Sequence, residues 1–430
     1  MILSDRYSLS SLASGSVDSQ GSVFFNEFGL TDLSDVEVVG ASVDTVRQLF
    51  YGLPVASMES RLIAALDSKE QFFKLLSPPD SHGVIGAYDT FHFSRMGKVS
   101  RYRFKLQNND LGIVILFGSF FSTMDKEGQH LKIELSPKFI SCRTPDSIMF
   151  YLNHLASLFL SDYQAKGCSV HLACDYQGFS LPDDFLSSFS THSRTIKSFD
   201  GISSFDLSAI AESVTSYGGS NQERNYLIGK PQSVQLAIYD KSYEIIKSDK
   251  LDYFHHEWSV FSLGVFNPEL VVRRIECRIH HQIIREIGQG MGIAFESFDA
   301  IAPYLTDIWR YSLKINRLMI KHGSPVLHPF WQLLMQDVFF YVPAQNFDIS
   351  RKKKDSVDPV GRNIAMVIGN IISLLARQGF NTNQVMSQLK ILAFYPEIIR
   401  YYRLRGLGES DLRLAVERGL CLRRMIGKAA

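Results

Sequence analysis

Cysteine is scarce in this chain. Its 430 residues include five, Cys142, Cys168, Cys174, Cys277 and Cys421, with no CxxC pair and no zinc-ligand spacing. No disulfide framework or structural zinc is expected, and a reducing compartment is the default. Three of the five sit in apolar-patterned segments, where cysteine acts as a small core residue. The start, MILSDRYSLSS, has no basic run followed by an apolar stretch, so no signal peptide is expected. The most apolar run, Ile364 to Ala376, contains Asn370 and is shorter than the ~20 residues of a spanning helix. No membrane contact is expected, and the cytoplasm is the expected location. Charge of one sign is missing too: the net value is +1. That leaves nucleic acid open, because a neutral protein can still carry a local basic groove. The glycine-rich GQGMG, Gly288 to Gly292, has no Lys-Ser/Thr ending and is not a P-loop. HHEW, His255 to Trp258, is not HExxH and reads as a loop, and no internal repeat is present.

What is present is an ordinary globular composition, 45% hydrophobic and 21% charged, with length for two or three domains. Residues 1–35 are rich in Ser, Gly and Asp and read as a flexible leader. SVDTVRQLF then reads as a helix start capped by Ser42. VSRYRFKLQ, GIVILFGSFF and HLKIELSPKF read as strands, with Asn108-Asn109-Asp110 turning the first into the second. IMFYLNHLASLFL has helical spacing up to Leu160, and CSVHLACDYQGF follows as a strand. Residues 180–222 form a Ser-rich excursion; beyond Ile283 the pattern is helical, broken at Pro325, at Pro329 and in RKKKDSVDPVGR. Interleaved helices and alternating strands predict an α+β fold, an antiparallel central sheet with flanking helices plus a helical C-terminal region. The expected division is a leader (1–35), a main domain (36–310), a helical extension and linker (311–350) and a helical C-terminal domain (351–430).

Period-2 alternation decides which side chains share a face. On VRRIECRIH one face carries Arg274, Glu276, Arg278 and His280. On CSVHLACDY the polar face offers His171 and Asp175. On SVQLAIYDK, Tyr239 shares a face with Gln235 and Ala237. Each signal alone fits a bland alternative: a solvated sheet face with cross-strand pairs, a structural His/Asp hydrogen bond, a packing tyrosine. Together they suit phosphoryl transfer. A phenol with a pKa near ~10 is a poor nucleophile at neutral pH and needs a base or cation to take up its charge. A divalent metal on His171, Asp175 and Glu276 would polarise the phosphate, while Lys241 and Arg274 would neutralise it.

YLIGKPQSVQLAIYDKSYE followed by VRRIECRIH resembles the replication initiation factor family of rolling-circle plasmids and filamentous phages. The family's Tyr-x-Gly turn is matched by Leu227 to Gly229, its Ile-Tyr-Asp-Lys box by Ile238 to Lys241, and its Arg-x-Glu strand by Arg274 to Glu276. Asp175 matches the second acid of the family's upstream pair, and His171 stands where the first is expected. Ala237 stands where the family often has Arg. The resemblance implies a metal-dependent, site-specific DNA endonuclease and strand transferase. It would nick one strand at the origin, become linked to the 5′ phosphate through Tyr239, and then rejoin the ends. Mg²⁺ or Mn²⁺ is the implied cofactor. The implied partners are origin DNA, single-stranded or hairpin at the nick, then the host helicase and polymerase, with a homodimer as the possible assembly. Expected DNA contacts are Arg278 and Lys230 beside the box, and Arg351, Lys352 and Lys353 in the basic tract. Tyr243, four residues after Tyr239, is the candidate second nucleophile. A conjugative relaxase of a mobile element and a non-cleaving origin-binding copy-control protein are the alternative readings.

Overall fold

A computed structural model describes the whole chain except residues 17–20, 80–86, 98–99, 183, 194, 199–224, 348, 353–358, 405 and 427–430. The chain divides into two compact units, Met1–Lys352 and Lys353–Ala430.

The expectation of a flexible leader does not hold for the described part of residues 1–35. Asp5–Tyr7 (β1), Leu9–Ser14 (α1), Val23–Asn26 (β2) and Gly29–Asp32 (β3) build a three-stranded antiparallel sheet. Phe24 is fully buried, and Arg6 forms a two-pronged ion pair with Asp337 at 2.9 Å on each branch. The Ser and Gly that suggest disorder are spent on turns and on the Ser8 cap of α1.

The expected helix at Ser42 is also replaced. Glu37–Pro54 is one long strand (β4), followed by Ala56–Asp67 (α2), Phe72–Leu76 (β5) and Tyr88–Arg95 (β6). Tyr102–Asn108 (β7) and Ile113–Ser119 (β8) make the expected hairpin, in which the Asn108 side chain accepts from the Leu111 amide at 2.9 Å. Gly128–Leu135 (β9) and Pro137–Ile140 (α3) lead to Pro145–Phe159 (α4), started by the Thr144 cap and Pro145. Leu160–Gln177 is the second long strand (β10). The Ser-rich excursion contains Phe185–Ser188 (α5), Phe189–Thr191 (β11) and Ile196–Ser198 (β12); its residues 183, 194 and 199–222 lie outside the described residues.

Then come Tyr226–Ile228 (β13), Val234–Asp240 (β14), Lys241–Lys247 (α6), Leu251–Phe261 (α7) and Arg273–Ile279 (β15). HHEW is therefore helical, not a loop. His281–Met291 (α8), Phe298–Ile301 (α9), Leu305–Ile315 (α10), Asn316–Leu318 (β16) and Pro329–Asp337 (α11) complete this unit. Residues 311–350 are not a separate extension: Leu313, Phe330, Trp331 and Phe340 belong to the main core, and β16 pairs with β11.

Among the described residues, eleven strands form one sheet, in the order β12-β13-β14-β15-β10-β4-β9-β8-β7-β6-β5, with every neighbouring pair antiparallel. One face, including Val46, Ile133, Leu172, Ile275 and Ile238, joins residues of α4 and α8 to α11 in the main core. The opposite face of the middle strands carries the polar residues described below. The second unit consists of Pro359–Arg377 (α12), Thr382–Ile391 (α13), Tyr395–Arg403 (α14) and Glu409–Ile426 (α15) around an apolar core that includes Ile372, Leu389, Ile398 and Leu412. A full capping box, Asn381 with Gln384, starts α13. No described helix is long and apolar enough to cross a membrane.

Candidate functional site

Register assembles the site. In the β10-β15-β14 ribbon, Arg278 lies between His171 and Gln235, Glu276 between Ala173 and Ala237, and Arg274 between Asp175 and Tyr239. Glu276 thus has an alanine on each side, and the space they leave lets side chains from the adjacent rows reach its carboxylate. Tyr239 Oη donates to Glu276 Oε2 at 3.1 Å, and His171 Nδ1 lies 2.9 Å from Oε1. Arg278 grips both oxygens, at 2.9 and 3.0 Å. One row away, Arg274 grips Asp175 with two hydrogen bonds of 2.6 and 2.7 Å and also pairs with Asp44.

The turn entering β14 explains part of this placement. Gly229 has φ +102°, and a Cβ there would lie 2.5 Å from the Val234 carbonyl oxygen, so glycine alone fits the tight return from β13.

Asp44 was not expected. It sits where the β4–β10 register slips: His171 pairs with Thr45 but Leu172 pairs with Val43, leaving Asp44 as the extra residue of a β-bulge. A bulge re-aims a side chain against the alternation. Asp44 thereby joins His171 and Glu276 in a group whose ligand atoms all lie within 4.8 Å of one another. Asp175, the other expected ligand, is turned to Arg274 and to the indole of Trp258, which donates to Oδ2 at 2.8 Å.

Helices α6 and α7 cover this end of the face. Asp240 caps α6 by accepting from the Tyr243 amide at 2.8 Å. Lys241 pairs with Glu244, and its ammonium sits 4.2 Å from the centre of the Phe254 ring. Trp258 approaches Gly40 so closely that a Cβ there would meet its ring at 3.3 Å. The result is deep burial: Tyr239, Arg274 and Glu276 are each 1% exposed.

Burial, and then Glu276, push the Tyr239 phenol well above its ordinary pKa. Burial opposes ionisation of Glu276, but Arg278 and His171 outweigh it and hold the carboxyl well below the usual range. Burial and the Arg47 guanidinium, 3.2 Å from Nε2, lower the His171 imidazole and keep it neutral. Two carboxylates and a neutral imidazole form a donor set suited to a hard divalent ion of the Mg²⁺ or Mn²⁺ type. Arg274 and Arg278 hold the same two carboxylates and would share them with such an ion.

The remaining candidates are dispersed. Tyr243 lies on the open side of α6, 36% exposed, with Lys247 5.6 Å from its ring centre. Lys230 and Lys352 are exposed, Arg351 is bound to Glu286 at 2.6 Å, and Lys353 lies outside the described residues. His280 caps α8 by accepting from the Gln282 amide.

No family model matches the chain. It is 28% identical over 408 residues to an uncharacterized protein, ORF430, of Pseudomonas phage Pf1, covering 91% of this chain and 90% of that protein. The uncovered share is smaller than the second unit, so the similarity reaches into both units.

Proposed function

We propose that this chain is a rolling-circle replication initiator that nicks and rejoins one DNA strand at an origin, with Tyr239 as the nucleophile. The observation carrying this reading is the convergence of a phenol, two carboxylates, an imidazole and two guanidiniums at the residues that resemble the initiator box. The phage relative fits that setting. Tyr239 Oη attacks the scissile phosphorus, the bond to the 3′ oxygen breaks, and the 5′ phosphate stays on the tyrosine. Glu276, already the acceptor of the phenol hydrogen bond, takes the proton, and the released 3′ oxygen takes a proton from water to become the priming hydroxyl. Arg274 and Lys241 offset the negative charge. Mg²⁺ or Mn²⁺ held by Asp44, His171 and Glu276 would polarise the non-bridging oxygens. The phosphotyrosine retains the bond energy for rejoining.

The described conformation is a resting one in this scheme. Even at ordinary values, moving a proton from a phenol to a carboxylate is uphill by about 7–8 kcal/mol, and both shifts described above widen that gap. Cleavage therefore requires α6 and α7 to move off the sheet so that DNA reaches the phenol.

The same burial favours a second reading, a DNA-binding copy-control protein that retains the site without cleaving. A supercoiled plasmid carrying the replication region of the chain's own element separates the two. Nicked circles with protein on the 5′ end in Mg²⁺ or Mn²⁺ support the initiator. Tight binding with no nicking in either metal leaves only the second reading.

A further inference from the structure

The net charge of +1 conceals a division. Residues 1–352 carry 32 Lys and Arg against 38 Asp and Glu, a net −6. Residues 353–430 carry 13 Lys and Arg against 6 Asp and Glu, a net +7 in 78 residues. The unit holding the candidate site thus repels a polyanion at long range, while the small helical unit attracts one.

Among the described residues, few of those cations are neutralised in place. Among the described residues of the second unit, carboxylates pair with Lys390 (Glu409, 2.7 Å) and loosely with Arg400 (Glu397, 3.8 Å). Arg403 and Arg418 are exposed without a carboxylate partner among the described residues, and Arg400 is 72% exposed. Arg423, by contrast, is tied to Ser373 and to the Gly419 and Gly369 carbonyls. On α14, Arg400 and Arg403 are three residues apart and so share a face. With Tyr395, Pro396, Ile399 and Leu404 they line a cavity of about 490 Å³. Two exposed guanidiniums beside aromatic and aliphatic surface have the chemistry to hold a phosphodiester.

We infer that the second unit is a sequence-independent DNA-backbone clamp, with Arg400 and Arg403 on α14 among its phosphate contacts. It supplies electrostatic affinity that the acidic first unit cannot. This rests on the reading of the chain as a DNA-acting protein, but it concerns binding and not cleavage.

The test uses the full chain and a random-sequence 30-base-pair duplex. Arg400→Gln with Arg403→Gln removes two contacts, and circular dichroism checks the fold. The plot of log affinity against log salt should flatten by about two units. The gain in affinity between 200 and 50 mM salt should shrink about tenfold. An unchanged slope and affinity in the folded variant overturns the clamp. So does wild-type chain that binds anionic phosphatidylserine vesicles but not the duplex. Failure of nicking alone, with the salt effect intact, removes the proposed chemistry and leaves the clamp standing.

Discussion

The two units of this chain solve folding in opposite ways. The first buries charge: Arg274, Glu276, Asp175, Lys241 and Glu244 are all at most 4% exposed, and each is paired. The second buries no polar or charged side chain among its described residues, and its core is aliphatic apart from Met386 and Tyr401. All 12 histidines lie in the first unit. Buried ion pairs are a poor route to stability, because desolvation offsets their attraction. Their concentration on one sheet face fits the chemical site proposed above. The second unit has an apolar core and a charged exterior.

Four experiments sharpen or break that contrast. The largest effect should be chemical: Tyr239→Phe abolishes the covalent DNA adduct, whereas Tyr243→Phe leaves it. Denaturing gels of end-labelled origin DNA read both, and adduct persisting in the first variant would move the nucleophile elsewhere. Next comes stability. Arg274→Ala leaves Asp175 buried without its cation and should cost about 3–5 kcal/mol, while Arg400→Ala in the second unit should stay within about 0.5 kcal/mol. Urea unfolding compares them, and adding Asp175→Ala to Arg274→Ala should recover part of the loss.

The third is acid sensitivity. Burial lowers His328, the cap of α11, to about 4 from an ordinary value near 6.5. The unfolded chain therefore binds the proton first, so stability is full above about pH 6.5 and falls as pH drops towards 4. Its ceiling is about 3 kcal/mol. His328→Asn keeps a capping oxygen and should reduce the fall of the thermal midpoint across that window, the remainder belonging to other burial-lowered histidines such as His280 and His281. An unaltered pH profile would show that His328 does not titrate on unfolding. The smallest effect belongs to the second unit, where Asn381→Ala removes the capping box of α13 and should cost about 1 kcal/mol with no pH dependence. Differential scanning calorimetry at pH 7 and pH 5 measures it.

Much of the site was legible because strands of uniform alternation carry it. Arg274, Glu276 and Arg278 share a face, as do His171 and Asp175, and Tyr239 lies opposite Ile238 as the period requires. The strand β4 defeated the same logic for one reason. Its bulge at Asp44 places Val43, Val46 and Phe50 on the core side, a spacing of three and then four that imitates a helix. That slip produced the expected helix at Ser42 and also hid Asp44. A valine pair three apart around a charged residue was the only trace in the sequence. The N-terminal 35 residues misled differently. The described ones are held by partners such as Asp337 and Gln332, more than 300 residues away, which local composition cannot report.

By itself the sequence determined the α+β class, the faces of β10, β14 and β15 and the hairpin at Asn108. Those follow from side-chain period and turn chemistry, both local properties. The tertiary structure alone decided that Asp44 completes the cluster, that Asp175 serves Arg274 and Trp258, and that α6 and α7 seal Tyr239 from solvent. Each depends on register between distant strands or on a helix folding back over a sheet, and such pairings are settled only when the whole core packs.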